Sequence, residues 1–244
     1  MAAPLPEILT LTLIPVAATI LGGVAASFRT PGERLRSFVQ HFAAGVVFAA
    51  VAGELLPEIT QGHQPLGVVI GFVLGVAVML ALRQIAGWLE RPLADGGRQP
   101  SGNLGLITVV GIDVLIDGLL IGVGFAAGAR VGTLLVVALT LELLFLGVSV
   151  ASSLGQVGTP PGRTILTVTG LSLLVILGAL LGSTLLQGLS GLALEIVLSF
   201  GAAALLFLVT EELLTEAHEV KETPLITAAF FAGFVALYLL ELMS

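Results

Sequence analysis

Three acidic residues stand inside two long apolar stretches of this chain and could together hold a cation. Asp113 and Asp117 are four residues apart, so a helix would place both side chains on one face, one turn apart. Glu142 stands at the matching depth of the next apolar stretch. A carboxylate near the middle of a bilayer is costly unless a positive charge or a proton compensates it. We therefore predict that these three acids form a site for a positive ion.

Five further residues are candidate metal ligands near the ends of two other apolar stretches. The acids Glu54, Glu211 and Glu212 could line the funnels through which cations enter and leave, although acids at helix ends are often simply solvated. His41 and His218 are predicted on the cytoplasmic side, where they could relay a departing metal or be solvated instead. Since the chain contains no cysteine, any metal must be held by oxygen or imidazole.

The composition limits the class of protein. Hydrophobic residues make up 57% of the 244 positions and charged residues 10%, a balance typical of an integral membrane protein. With nine Lys and Arg, no polybasic run and 6% aromatic residues, the chain lacks the features of a nucleic-acid binder. It also has no Gly-rich phosphate loop and no nucleophile and base motif. We therefore expect no enzyme and no nucleic-acid partner.

Eight apolar stretches are long enough to cross a bilayer as helices, which takes ~20 residues. Gly- and Pro-rich breaks such as Gly158-Thr-Pro-Pro-Gly162 separate them. We predict one all-α transmembrane domain over 1–244, with helices 1–3 in 7–87, a cytoplasmic loop at 88–103, helices 4–5 in 104–153 and helices 6–8 in 164–243. The predicted spans are 7–28, 37–58, 66–87, 104–128, 131–153, 164–186, 190–215 and 224–243.

The distribution of Lys and Arg predicts the orientation of these spans. With loops assigned alternately, one side of the membrane receives only Arg130. The other side receives Arg29, Arg34, Arg36, Arg83, Arg91, Arg98, Arg163 and Lys221. Because positive residues concentrate in the cytoplasm, we expect a multi-pass protein of the plasma (inner) membrane with both termini outside.

Two pairs of segments repeat in opposite directions. Phe42 through Glu54-Leu-Leu-Pro-Glu58 reappears 158 residues later as Phe200 through Glu212-Leu-Leu-Thr-Glu216. Residues 112–118 repeat at 141–147, so that Asp113 corresponds to Glu142. Inverted repeats are a mark of secondary transporters, whose substrate sites lie near the midplane. We predict a 3+2+3 inverted-repeat arrangement of the eight helices.

The chain resembles the ZRT/IRT-like (ZIP) family of divalent-metal transporters along nearly its whole length. The motifs that carry the resemblance are Asp117-Gly118-Leu-Leu-Ile-Gly122, Gly147-Val-Ser-Val-Ala-Ser152 and Glu54-Leu-Leu-Pro-Glu58. The resemblance implies eight helices, outward termini, metal ligands on helices four and five, and movement of metal into the cytoplasm. Gly118, Gly122 and Gly147 would also allow helices to approach closely.

The candidate site departs from that family in its ligands. The family's histidines on helices four and five are replaced by Asp113 and Glu142, and the second ligand of helix five is replaced by Leu146. These changes imply that one metal position of the usual two remains. Oxygen ligands favour hard cations such as Mn²⁺, although the affinity order favours Zn²⁺. The transported divalent metal could be Zn, Mn, Fe or Cd.

Two other functions remain open at this point. The acids could serve a carrier of protons or of an organic cation, or the chain could be a ZIP-like sensor or scaffold that transports nothing. The expected partners are divalent cations and the lipid bilayer, with a homodimer left open. Glu195 and Glu241, near predicted helix ends, are expected at the membrane interface.

Overall fold

The computed structural model of the protein describes residues 5–29, 31–89, 102–186, 188–221 and 223–243. Every regular element in these ranges is helical, and eight helices are long and apolar enough to cross a membrane. The predicted all-α class and the presence of eight apolar helices long enough to span a membrane are therefore confirmed. The helices are α1 (Leu5–Phe28), α2 (Glu33–Gly62), α3 (Pro65–Leu89), α4 (Gly102–Ala127), α5 (Ala129–Gln156), α6 (Pro161–Leu185), α7 (Gly191–Ala217) and α8 (Pro224–Met243).

Short links join most consecutive helices, and contacts between helix ends show that α2 runs antiparallel to α7 and α5 antiparallel to α8. Arg36 at the start of α2 lies 2.9 Å from Glu216 at the end of α7. Arg130 at the start of α5 donates to the backbone oxygen of Glu241 at the end of α8 (2.9 Å). We term the end of the bundle that carries Arg36 and Glu216 the arginine-rich end, and the end that carries Arg130 and Glu241 the Arg130 end. The predicted loop at 88–103 lies mostly outside the described residues, as do Arg91 and Arg98.

Four helix pairs form the largest contacts of the bundle. α4 packs on α6 and α1 on α5, while α2 packs on α8 and α3 on α7. The remaining substantial contacts include α1 with α6 and α4 with α5. α5 is the most buried helix of the eight, so it lies at the centre of the bundle, and α4 lies beside it.

Glycines set the distance between α4 and α5 and their neighbours. A Cβ on Gly118 would overlap the carbonyl oxygen of Val175 in α6, and one on Gly122 would overlap that of Ala179. A Cβ on Gly147 would overlap the carbonyl oxygen of Thr19 in α1. The predicted close approach at these three glycines is confirmed. Small residues at such crossings fix helix positions in membranes, where the hydrophobic effect between helices is weak.

Two helices contain a π-helical segment. Val51–Leu55 is π-helical within α2, and Leu208–Leu213 is π-helical within α7. Pro57 has no backbone N–H, which removes one regular α-helical bond to the turn before it. At the corresponding place in α7, the hydroxyl of Thr215 donates to the backbone oxygen of Thr210 (3.2 Å). Such segments are frequent at functional sites.

Candidate metal centre

Three carboxylates converge near the middle of the bundle. Asp113 is eleven residues into the 26-residue α4, and Glu142 is thirteen residues into the 28-residue α5. One carboxylate oxygen from each of Asp113, Asp117 and Glu142 lies within 4.8 Å of the others. The structure thus brings together the three residues predicted as the core of the cation site.

Two of these carboxylates are buried with incomplete hydrogen bonding. Asp117 and Glu142 are each 2% exposed. Oδ2 of Asp117 and Oε2 of Glu142 are buried without a hydrogen-bond partner. None of the ion pairs found in the described part of the chain involves the three acids. Because a buried charge without a partner is strongly unfavourable, the cluster requires a cation or protons to be stable.

The size of the cluster suits a divalent cation. Two oxygens on opposite sides of an ion, at a metal-to-oxygen distance of about 2.4 Å, are about 4.8 Å apart. The oxygens of Asp113, Asp117 and Glu142 lie within that limit. One ion could therefore contact all three carboxylates. The charge of the three ionised acids would exceed that of a divalent ion by one.

A cavity of about 230 Å³ connects the cluster with the arginine-rich end. Asp113 lines its inner part, and Glu212, Glu216 and Arg83 line it toward the helix ends. Ser149 of α5 adds a hydroxyl to its wall. Of the three acids, Asp113 is the one that is only partly buried, because it faces this cavity. Glu212 thus lies where a cation leaving Asp113 toward the arginine-rich end would pass.

Large apolar side chains fill the interior between the cluster and the Arg130 end. Ile121 and Phe125, one and two turns beyond Asp117 on α4, are 0% exposed. Leu135 and Leu139, before Glu142 on α5, are 1% and 0% exposed. The cluster is therefore sealed by packed side chains on one side and reached by a cavity on the other.

The two π-helical segments carry acids that are paired with arginine. Glu54 of α2 is 8% exposed, and its Oε1 lies 3.4 Å from Nε of Arg130. Glu211 of α7 accepts a hydrogen bond from Arg83. Neither belongs to the three-carboxylate cluster. Their predicted role as metal ligands stays a prediction, and each is bound to an arginine in this structure.

The two candidate histidines meet at the arginine-rich end. The ring centroids of His41 and His218 are 5.1 Å apart and the rings are perpendicular. His41 is 2% exposed, and its Nδ1 lies 2.9 Å from the backbone oxygen of Ser37. The sequence places both residues on one side of the membrane but does not indicate that their rings are neighbours.

Two features of the sites were not found from the sequence. No pattern in the sequence indicates the pairing of Arg130 with Glu54. Glu195, expected at the membrane interface, is 2% exposed with Oε1 unpartnered. Its carboxylate lies against Gly62 and its Cβ and Cγ lie against Gly67, and the backbone of Gln64 donates a hydrogen bond to the carboxylate. Glu195 therefore fastens the α2–α3 turn to α7.

No protein-family model matches this chain, and no curated protein matches it. The resemblance to the ZIP family rests on the motifs quoted above.

Proposed function

We propose that this protein is a transporter of divalent metal cations of the ZIP type, with Asp113, Asp117 and Glu142 as the transport site. The observation that carries the proposal is the convergence of three carboxylate oxygens within 4.8 Å at mid-bundle, two of them on nearly fully buried residues. In a membrane, acids that face the interior of a helix bundle mark substrate or ion pathways and proton relays.

The proposal includes a 3+2+3 inverted repeat that exchanges α1–α3 with α6–α8 and α4 with α5. This exchange converts the α4–α6 contact into the α5–α1 contact, and the α2–α8 contact into the α7–α3 contact. These four are the largest helix contacts of the bundle. The glycines Gly118 and Gly147 make the corresponding close approaches. The two π-helical segments also correspond, since one contains Glu54 and the other contains Glu212, the two acids that the sequence repeat aligns. Of these features, the helix contacts and the π-helical geometry are independent of the sequence repeat.

The arginine-rich end would face the cytoplasm. Arg29, Arg34, Arg36, Arg83, Arg163 and Lys221 lie there, in agreement with the tendency of cytoplasmic segments to carry positive residues. Both termini would then lie outside, and the plasma (inner) membrane would be the site of action. With its cavity toward the arginine-rich end and packed side chains toward the Arg130 end, this conformation would be open to the cytoplasm.

The transport site would take hard or borderline divalent ions. All three ligands are carboxylates, and Ser149 adds a hydroxyl oxygen to the adjoining cavity wall. Oxygen donors suit Mn²⁺, Mg²⁺ and Ca²⁺, and bind Fe²⁺, Zn²⁺ and Cd²⁺ with less discrimination. Release would follow from rehydration of the ion in the cavity, aided by Glu212.

Transport requires an alternative conformation that opens the Arg130 end. In carriers built from inverted repeats, one helix bundle moves against the other around a fixed site. Here the residues to be separated are the packed apolar side chains beyond Asp117 and the pair formed by Glu54 and Arg130. The substrate gradient or a coupled proton would drive the cycle.

Uptake into proteoliposomes tests the proposal. Purified protein is reconstituted, and the initial entry of Mn²⁺, Zn²⁺, Cd²⁺, Fe²⁺ and Mg²⁺ is measured for the wild type and for Asp117→Asn. We expect at least one ion to enter faster than in protein-free vesicles and the variant to lose more than nine-tenths of that rate. Glu195→Gln is the matched control, because it removes the charge of another buried acid with an unpartnered oxygen, outside the cluster.

The rival functions predict different results in the same vesicles. A proton carrier would acidify or alkalinise the lumen without cation entry, and Asp117→Asn would abolish that flux. A sensor or scaffold would give neither flux. Equal cation entry for the wild type and Asp117→Asn would overturn the proposed site.

A further inference from the structure

A second group of metal-binding side chains lies at the arginine-rich end, apart from the three carboxylates. His41 of α2 and His218, directly after α7, have ring centroids 5.1 Å apart. His41 is nearly fully buried and His218 is exposed, so the pair lies at the boundary between the protein interior and solvent. Two imidazoles in this arrangement differ in chemistry from the oxygen cluster.

A hydrogen bond fixes the tautomer of His41. Its Nδ1 lies 2.9 Å from the backbone oxygen of Ser37, and a carbonyl oxygen can only accept, so Nδ1 carries the proton. Nε2 of the neutral ring is then left with its lone pair. Metal-binding histidines typically donate their other ring N–H to a carbonyl in this way, which orients the ring and raises its basicity.

Ser37 holds both histidines in position. Its backbone oxygen accepts from His41, and its hydroxyl donates to the backbone oxygen of Ala217, the residue before His218 (2.7 Å). A second link between the helices lies beside it, since Gln40 donates to Glu216 (2.6 Å), which also pairs with Arg36. The start of α2 and the end of α7 are therefore fastened together, and the pair is preorganised.

The ring separation fits two imidazoles on one tetrahedral ion. With nitrogen about 2 Å from the metal and a tetrahedral angle between ligands, two ring centroids are roughly 5.2 Å apart. The observed separation is 5.1 Å. The exposed side of His218 leaves room for water at the remaining positions. Such a partly open site suits an ion that is bound and then released.

We propose that His41 and His218 form a second, nitrogen-donor site for late first-row divalent cations such as Zn²⁺, Ni²⁺, Co²⁺ or Cu²⁺. Imidazole suits these ions and discriminates against Mg²⁺ and Ca²⁺. Glu216 lines both the cavity that leads from Asp113 and a groove beside Ser37 and Gln40. The use of the pair as an exit relay rests on the proposed transport function, whereas binding by the pair does not.

The composition of the chain limits which residues can supply imidazole ligands. The protein has three histidines and no cysteine, so imidazole ligands can come only from His41, His63 and His218. His63 lies in the link after α2, at the Arg130 end. Full-length protein with a histidine-free affinity tag is loaded with one equivalent of Cu²⁺, and electron paramagnetic resonance counts the coordinated nitrogens. His63→Gln is the background for all other variants.

We expect two imidazole nitrogens in His63→Gln, one after the further change His218→Gln, and one after His41→Gln. His218 is exposed, so its variant keeps the test valid if the buried His41 variant does not fold. The Zn²⁺ dissociation constant should rise at least 10-fold in either variant. Asp117→Asn should leave the two-nitrogen signal intact even if it abolishes transport, which separates failure of the transport site from failure of this one.

Two results would overturn the proposal. One is a Cu²⁺ spectrum of His63→Gln with no coordinated imidazole. The other is an unchanged nitrogen count after His218→Gln, which would mean that the rings pack together without binding an ion.

Discussion

Nε of Arg130 lies 3.4 Å from Oε1 of Glu54, joining the start of α5 to the π-helical segment of α2. The same guanidinium donates through Nη2 to the backbone oxygen of Glu241 in α8. The side chains of Arg130 and Glu54 are 56% and 9% exposed, so a solvent-accessible positive group covers a nearly buried acid. In the proposed orientation, the guanidinium occupies the position that a cation arriving from outside would take.

Removal of the Arg130 charge should favour cation capture at the outer side. We expect Arg130→Gln to lower the KM for uptake about 3- to 10-fold, because Glu54 is left without its counter-charge and attracts the ion instead. Initial-rate uptake at varied Mn²⁺ checks this. Arg163→Gln, at the opposite end, is the control. If the double variant Arg130→Gln/Glu54→Gln keeps the lower KM, Glu54 does not attract the incoming ion.

The glycine at the α4–α6 crossing should be far less tolerant of a methyl group than a glycine two turns earlier. A Cβ on Gly118 would overlap backbone of α6, whereas one on Gly111 would stand 3.4 Å from the flexible ends of Leu171 and Leu174. We expect Gly118→Ala to cost about 1–3 kcal/mol of stability. Gly111→Ala should cost less than about 0.5 kcal/mol.

Thermal unfolding in detergent, followed by circular dichroism, compares these two alanine variants. Both substitutions add the same methyl group to the same helix, so differences in helix propensity cancel. If the two midpoints are equally lowered, the close α4–α6 contact does not position the site.

Cation binding should stabilise the folded protein only while the carboxylate cluster is intact. A ligand at 100 times its dissociation constant adds about 2.7 kcal/mol to the free energy of unfolding. We expect Mn²⁺ to raise the unfolding midpoint of the wild type and of Glu195→Gln, but not that of Glu142→Gln. A full Mn²⁺ shift in Glu142→Gln would show that the stabilising ion binds elsewhere.

The cavity should be reachable from the cytoplasm. Because the chain has no cysteine, one introduced thiol reports its own surroundings. Ser149→Cys, in the cavity wall, should react with a membrane-impermeant maleimide in everted vesicles and be protected by Mn²⁺. Ser199→Cys, at a position that is 0% exposed, should not react. Reaction of Ser149→Cys from the outer side alone would reverse the proposed orientation.

The positions of the helices could be predicted because each span is a long apolar run bounded by turn residues, as at Gly158-Thr-Pro-Pro-Gly162. The three-carboxylate cluster was also predictable in outline. The spacing of Asp113 and Asp117 sets one helix face, and Glu142 stands at equal depth in the neighbouring helix.

Contacts between helices distant in sequence could not be predicted in the same way. The pairing of Glu54 with Arg130 and the approach of His41 to His218 depend on how α2 rotates and tilts against α5 and α7. Rotation and tilt follow from packing that spacing along one helix does not encode. Glu195 illustrates the same limit. Its position near a helix end predicts a solvated acid, whereas the structure buries it against Gly62 and Gly67.

The central claim is that one divalent cation binds among Asp113, Asp117 and Glu142. Crystals of the protein grown with Mn²⁺ and measured at the manganese absorption edge test it most directly. We expect an anomalous peak about 2.2 Å from a carboxylate oxygen of each acid, and its disappearance in Asp117→Asn. Manganese bound elsewhere in the molecule, with the three carboxylates empty or turned away from one another, would contradict it.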